Sequence, residues 1–224
     1  MMKKLLLITG PQGSGNHLYS KLLALHPDVY GWKALNETYW IGHDQEPFNK
    51  FWADPNLWTT TDFGHYQYAF ASISVPYVQN GVTVVPDFKK FINGARSAGW
   101  QVQIAIIGRD VNILEEQQTR LRRRVTIPSM LETLEAELDQ YDPYYISHEL
   151  VFLYKQRYLK QLSRTLDFPI AYDSMEVDHI LKDNSNAKYI HYVENTQLDQ
   201  LVTACLASTA RPGTEWHERA KEQL

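Results

Sequence analysis

The chain has 224 residues, 44% of them hydrophobic and 21% charged, so it is long enough to bury a sizeable core and too apolar for a disordered protein. Its formal net charge of -4 argues against coating nucleic acid through bulk electrostatics, and only local basic patches stay open. The single cysteine, Cys205, excludes an internal disulfide, and no Cys/His spacing resembles a zinc site, which fits a reducing cytoplasm, the host's if the protein is viral.

No Pro/Gly/Ser-rich linker or internal repeat divides the chain, and a single domain over 1–224 is expected, with disorder confined to the charged stretch Arg211 to Leu224. After Lys3-Lys4, the apolar run Leu5 to Ile8 is too short for a cleaved leader or a bilayer span, so Lys4 to Thr9 reads as a buried strand and no membrane association is expected. A glycine-rich loop follows, then an apolar-periodic helix from Leu18 to Leu25 that ends near His26-Pro27. The aromatic stretch at about 32–67 has no clear period and reads as an insertion over one end of the sheet; its rings either line a substrate pocket, stack on bases or pack the insertion itself.

Phe70 to Val75 reads as a strand, and Pro86 opens a helix that runs to Ala98 and stops at Gly99. Gln101 to Ile107 is the clearest central strand, and a polar helix from Ile113 to Arg124 succeeds it. Pro128 separates that helix from another over Met130 to Leu138. Tyr144 to Ser147 is a candidate strand before the amphipathic helix Leu150 to Leu166, and Pro169 to Tyr172 and Lys188 to Tyr192 each add a short strand around a helical Val177 to Leu181. Alternating strands and helices predict an α/β fold, a three-layer α/β/α sandwich on a mainly parallel sheet of the P-loop NTPase-like kind.

The loop Gly10-Pro11-Gln12-Gly13-Ser14-Gly15-Asn16-His17 sits between strand and helix, where glycines permit a tight turn and backbone N–H groups can face anionic oxygens. These eight residues are the expected nucleotide-phosphate site. The loop departs from Gly-x-x-x-x-Gly-Lys-[Ser/Thr], because Asn16 stands at the lysine and His17 at the magnesium-binding hydroxyl, so another cation must supply the missing charge. A plain structural turn is the competing reading.

Two resemblances meet in these residues. Gly10-Pro11-x-Gly13-Ser14-Gly15 resembles the phosphate loop of nucleoside and nucleotide kinases, and implies ATP with Mg2+ as cofactor. Ser14-Gly15-x-x-Leu18 with Leu22-Leu23-x-x-His26-Pro27-Asp28-Val29 resembles sulfotransferases that use the sulfate-activated nucleotide PAPS; that family has a Lys or Arg at Gly13 and hydroxyl residues at Asn16 and His17. Ser147-His148-Glu149-Leu150 is similar to the Tyr-Glu-Asp-Leu element that sulfotransferases often carry. The sulfotransferase resemblance puts Arg109 on the 3'-phosphate, although Val111 and Gln117 replace the proline and serine expected after it.

Arg109 and Asp110 end the central strand, at the edge where open α/β sheets place ligands. In the kinase reading, 109–128 forms a lid-like arginine segment of Gln117, Arg120, Arg122, Arg123 and Arg124, whose guanidinium groups neutralise charge on a transferred phosphoryl group, with Arg120, Arg123 and Arg124 on one helical face. A solvated helix laced with Glu115 and Glu116, or a local grip on a nucleic-acid backbone, are the alternatives. Candidate bases for a hydroxyl acceptor are Glu37, Asp44, Asp87, Asp110, His148, Glu149 and His17, with Asp110 and Glu37 favoured by position and a capping or surface role competing for each. His43-Asp44 and His148-Glu149 are adjacent in sequence, so their side chains diverge.

The expected function is nucleotide-dependent group transfer, first an ATP-dependent kinase acting on a hydroxyl of a nucleoside, a nucleotide or a modified DNA base. The chain also resembles small bacteriophage kinases that phosphorylate 5-hydroxymethyluracil in DNA. The alternatives are a PAPS-dependent sulfotransferase and a non-catalytic P-loop relic that binds nucleotide or nucleic acid without turnover.

Overall fold

The computed structural model describes residues 3–38, 41–79, 82–184 and 186–187. The expected strand Lys188 to Tyr192 and the tail from Arg211 lie outside the described residues. Seven strands are present among the described residues: β1 (Lys3–Pro11), β2 (Val29–Tyr30), β3 (Tyr68–Val75), β4 (Tyr77–Gln79), β5 (Val82–Val84), β6 (Trp100–Gly108) and β7 (Tyr144–Ser147). The α-helices are α1 (Asn16–Ala24), α2 (Leu57–Thr60), α3 (Phe88–Ser97), α4 (Val111–Arg122), α5 (Ile127–Thr133), α6 (His148–Thr165) and α7 (Met175–Ile180).

Five strands form one sheet in the order β2-β3-β1-β6-β7, and every pairing is parallel. Parallel strands need crossovers that cover both faces, which is why β1 and β6 read as unbroken apolar runs. Side chains alternate between two cores. Leu5, Leu7, Ala71, Ile73, Ile104 and Ile106 pack with α3, α5 and the 32–67 segment, whereas Leu6, Ile8, Phe70, Ala105 and Ile107 pack with α1, α6 and α7. Helices therefore lie on both faces of a mainly parallel sheet, as expected.

The aromatic insertion is core. Trp52 stacks on Phe91 of α3 at 3.9 Å between ring centroids, and Trp58 packs against Phe48, Phe51 and Phe91. The cluster reaches Trp100 through Phe63, at the amino-terminal end of the sheet where Lys3 pairs with Trp100. Of the readings left open for these rings, packing is the one found: short 3-10 turns and α2 lay them across a sheet face, because that face has only the ten-residue α3 and short α5 to cover it.

Other differences are local. Pro128 does not separate two helices but sits in the first turn of α5, where its missing N–H costs nothing, and Leu134–Leu138 continues as a π-turn. Pro169 to Tyr172 is irregular rather than a strand, with Ile170 buried between α6 and α7. A hairpin of β4 and β5 follows β3 after the cis Val75–Pro76 bond, with Gln79 paired to Val82; the sequence between them, Asn80-Gly81, is a signature of such hairpins.

Glu46 closes the edge of β3. Where β2 ends after Tyr30, its carboxylate takes over the ladder by accepting from Ser72 N at 3.3 Å, and from Phe48 N at 2.8 Å. Burial pushes this carboxyl up to about 8, so the folded chain holds a proton that the unfolded chain, near 4.5, releases. Its contribution is greatest below 4.5 and is lost as the pH rises to about 8. His17, His43 and His148 are held below their ordinary 6.5 and work in the opposite sense, only below that value. Stability is therefore expected to fall between pH 6.5 and pH 8, and Glu46→Gln to flatten that slope. Urea midpoints at the two pH values check this; an identical slope in wild type and variant would remove Glu46 as the cause.

Candidate functional site

The chain leaves β1 toward β2 on one side of the sheet and leaves β6 toward β7 on the other. Such a reversal opens a crevice at the carboxyl ends of the two strands. A cleft of about 720 Å³ lies there, lined by the loop after β1, the β4–β5 hairpin, the start and end of the α4 segment, and His148 at the start of α6.

The loop has the backbone that its glycines predict. Gly13 has φ 88 and Gly15 φ 121, and Ser14 N donates to Pro11 O at 3.0 Å to close the turn. Gly15 is the N-cap of α1 and supplies no side-chain cap, so the first-turn N–H groups of α1 have no intrahelical acceptor and face the cleft end of the helix dipole.

The segment after β6 grips the loop from the other side. Arg109 Nη1 donates to Gly13 O and to Gln117 Oε1. Gln118, fully buried, donates to Gln12 O and accepts from Thr126 N at 2.6 Å; Gln12 Nε2 donates to Pro76 O at 2.8 Å. Gln118 thus holds Gln12 directly, and Gln117 and Gly13 share the Arg109 Nη1 donor, which ties the loop's shape to α4.

Asn16 and His17 are both committed to protein partners. Asn16, 4% exposed, donates through Nδ2 to Ser74 Oγ at 2.8 Å and Ile73 O at 3.2 Å, pinning the start of α1 to the end of β3. His17 Nε2 bonds Ile41 O at 2.9 Å; a carbonyl only accepts, so Nε2 carries the proton. Its ring packs on Trp32 and His43 at 5.1 and 4.7 Å. Burial, and then His17, hold His43 down to about 3, while burial and the Arg109 guanidinium hold His148 down to about 4. All three imidazoles are neutral at pH 7.

Of the expected site residues, Gln12, Gly13, Gly15, Asn16, His17, Arg109 and Arg124 line the cleft. Gly10 and Pro11 end β1, and Ser14 is buried beneath the turn. Asp110 is exposed and spends its carboxylate as the N-cap of α4, accepting from Ile113 N at 3.0 Å. Glu37 is exposed at the end of a 3-10 turn, and Arg120 pairs with Glu116 on the outer side of α4; none of these three lines the cleft. Arg123 takes a left-handed φ of 54 and ends α4, so Arg120, Arg123 and Arg124 share no helical face, and Arg124 reaches the cleft from the connection instead. Asp87 caps α3 and Glu149 faces away into a hydrogen-bond network beside Arg109. Within the described part of 32–67 only His43 reaches the cleft.

Comparison with protein-family models, with curated proteins and with solved structures finds no match for this chain.

Sequence reasoning missed Tyr77, Val78 and Thr83 on the hairpin wall, for which Asn80-Gly81 was the available signal, and Gln118 and Thr126, for which there was none. The lining also bears on the metal that the kinase resemblance implies. A magnesium ion at a P-loop takes a hydroxyl after the last glycine and a carboxylate across the cleft. Asn16 and His17 hold those loop positions, turned toward protein carbonyls, and among the described residues no carboxylate lines the cleft. No group of three or more metal-ligating side chains occurs among the described residues either. The described lining therefore lacks the loop hydroxyl and the carboxylate of that pattern. No helix among the described residues is long and apolar enough to cross a membrane.

Proposed function

We propose that this chain is a P-loop-type, nucleotide-dependent transferase that seats the phosphates of its donor on the Gly10–His17 loop and passes a group to a hydroxyl acceptor without a protein-held metal ion. The observation that carries the reading is the lining itself: a glycine turn and an uncapped helix start meet Arg109 and Arg124, with neutral imidazoles beside them and, among the described residues, no carboxylate in the cleft lining. Backbone N–H groups and guanidinium forks recognise phosphate oxygens, and the absence of lining carboxylates keeps repulsion low.

Of the two donors that the sequence resembles, PAPS suits this chemistry better than ATP with Mg2+, because sulfuryl transfer from a phosphosulfate leaves no magnesium to be held. Asp110 and Glu37 give way as proton acceptor to His17, which is neutral and lines the cleft, whereas His43, held down to about 3, is too weak a base. The hairpin wall, with Tyr77 and Val78, offers the acceptor an apolar surface. A kinase acting on a nucleoside, a nucleotide or a hydroxymethylated DNA base is the second reading, favoured by Gly10-Pro11-x-Gly13-Ser14-Gly15 and by Arg124 at the cleft; it requires the nucleotide to bring its own metal.

Calorimetric titration separates them. Adenosine 3',5'-bisphosphate is expected to bind in the presence of EDTA, and ATP to bind no tighter when Mg2+ is added. ATP binding that depends on Mg2+ would favour the kinase, and silence from both ligands would overturn the transferase reading.

A further inference from the structure

Arg109 is not held by the loop alone. Its Nε donates to Asn186 Oδ1 at 2.8 Å, across 77 positions of sequence, from a residue just beyond α7. Asn186 is 4% exposed. Its amide has only one workable orientation, since the guanidinium can only donate and the carboxylate of Glu149 only accept: Nδ2 donates to Glu149 Oε1 at 3.1 Å. The same Oε1 accepts from Asp110 N at 3.0 Å, and Oε2 accepts from the Ser147 hydroxyl at 3.2 Å. Bonds therefore run from the Arg109 side chain through Asn186 and Glu149 back to the backbone of the very next residue.

This closed ring fixes both ends of a long, flexible side chain. It leaves Nη1 aimed at Gly13 O and Gln117, under the turn that would cradle phosphate. Glu149 sits in the first turn of α6, where the helix dipole favours its charge, so the ring has a rigid base. We infer that Asn186, anchored by Glu149, is a positioning residue that holds Arg109 in register with the Gly10–His17 loop, so that the chain beyond α7 completes the anion cleft. The inference rests on the anion-binding reading for its effect on ligands, and on geometry alone for its effect on Arg109.

The test uses the full chain with two readouts. In nitrogen-15 spectra, the Arg109 Nε–H resonance, assigned by its disappearance in Arg109→Lys, is expected to be shifted and protected from exchange in the wild type, and to lose both properties in Asn186→Ala. Affinity for adenosine 3',5'-bisphosphate and for inorganic pyrophosphate is expected to fall about tenfold to a hundredfold in the same variant. Glu149→Ala, which removes the anchor of Asn186 while keeping its Oδ1, is expected to weaken both readouts in the same direction. An unchanged Nε–H resonance in Asn186→Ala, or unchanged affinity, overturns the inference. If the wild type binds neither ligand, the anion reading fails and the resonance still decides whether the brace exists.

Discussion

Arg109→Ala is expected to abolish measurable binding of adenosine 3',5'-bisphosphate while leaving the sheet intact. The guanidinium donates to Gly13 O, Gln117 Oε1 and Asn186 Oδ1, so its removal strands three acceptors at once and leaves Gly13 held to α4 only through its neighbour Gln12, which Gln118 still grips. Truncating one side of a part-buried, charge-assisted network costs about 2–5 kcal/mol, which is roughly thirtyfold to several-thousandfold in affinity. Arg109→Lys is expected to rescue little, because an ammonium on a flexible stem cannot serve Nε and Nη1 partners in one plane. Both core clusters lie away from this side chain, and urea unfolding should shift much less than affinity does. Calorimetry of the two variants beside wild type checks this, and binding within threefold of wild type in Arg109→Ala would sink the assignment of the cleft.

Gly15→Ala is expected to be strongly disruptive for a single added methyl. Gly15 has φ 121, a backbone region that side-chain-bearing residues rarely adopt, and an added Cβ would stand 2.6 Å from His148 Cδ2. Forced backbone strain costs about 1–3 kcal/mol and overpacking about 1–3 kcal/mol more, so a loss of about 2–6 kcal/mol is expected. The two contributions separate experimentally. In Gly15→Ala with His148→Ala the packing part is relieved and the strain part stays, so the double variant should recover only a portion of the loss relative to His148→Ala alone. Urea midpoints of the four proteins measure this. Wild-type stability in Gly15→Ala would mean that the loop does not hold the conformation described.

Much of the scaffold was legible because its causes are local. The run Leu5 to Ile8, the run Ile104 to Ile107 and the alternation of strands with periodic helices announce a parallel sheet covered on both faces, and the five parallel strands follow. Gly13 and Gly15 announce a turn with positive φ, which is what they form. The hairpin was legible in principle from Asn80-Gly81, between short β-branched runs, but is easily lost beside the longer strand β3.

Side-chain roles were not legible in the same way. Asp110 has the right place at a strand end, yet the same place is the N-cap of α4, and the backbone N–H of Ile113 claims its oxygen. The arginines from 120 to 124 look like one helical face until Arg123 turns left-handed and sends Arg124 alone to the cleft. The aromatics between 32 and 67 carry no mark to distinguish a pocket wall from a core; the exposed sheet face opposite α1 claimed most of them.

By itself the sequence determined the α/β class, the central strands and the glycine turn, because these depend on periodicity and on the dihedral freedom of a few residues. Only the tertiary structure decided that Asn16 and His17 face protein carbonyls, that no carboxylate lines the cleft among the described residues, and that Asn186 reaches Arg109 across 77 positions. Those facts depend on which groups meet once β1, β6 and β7 lie side by side, and that proximity leaves no local trace in the chain.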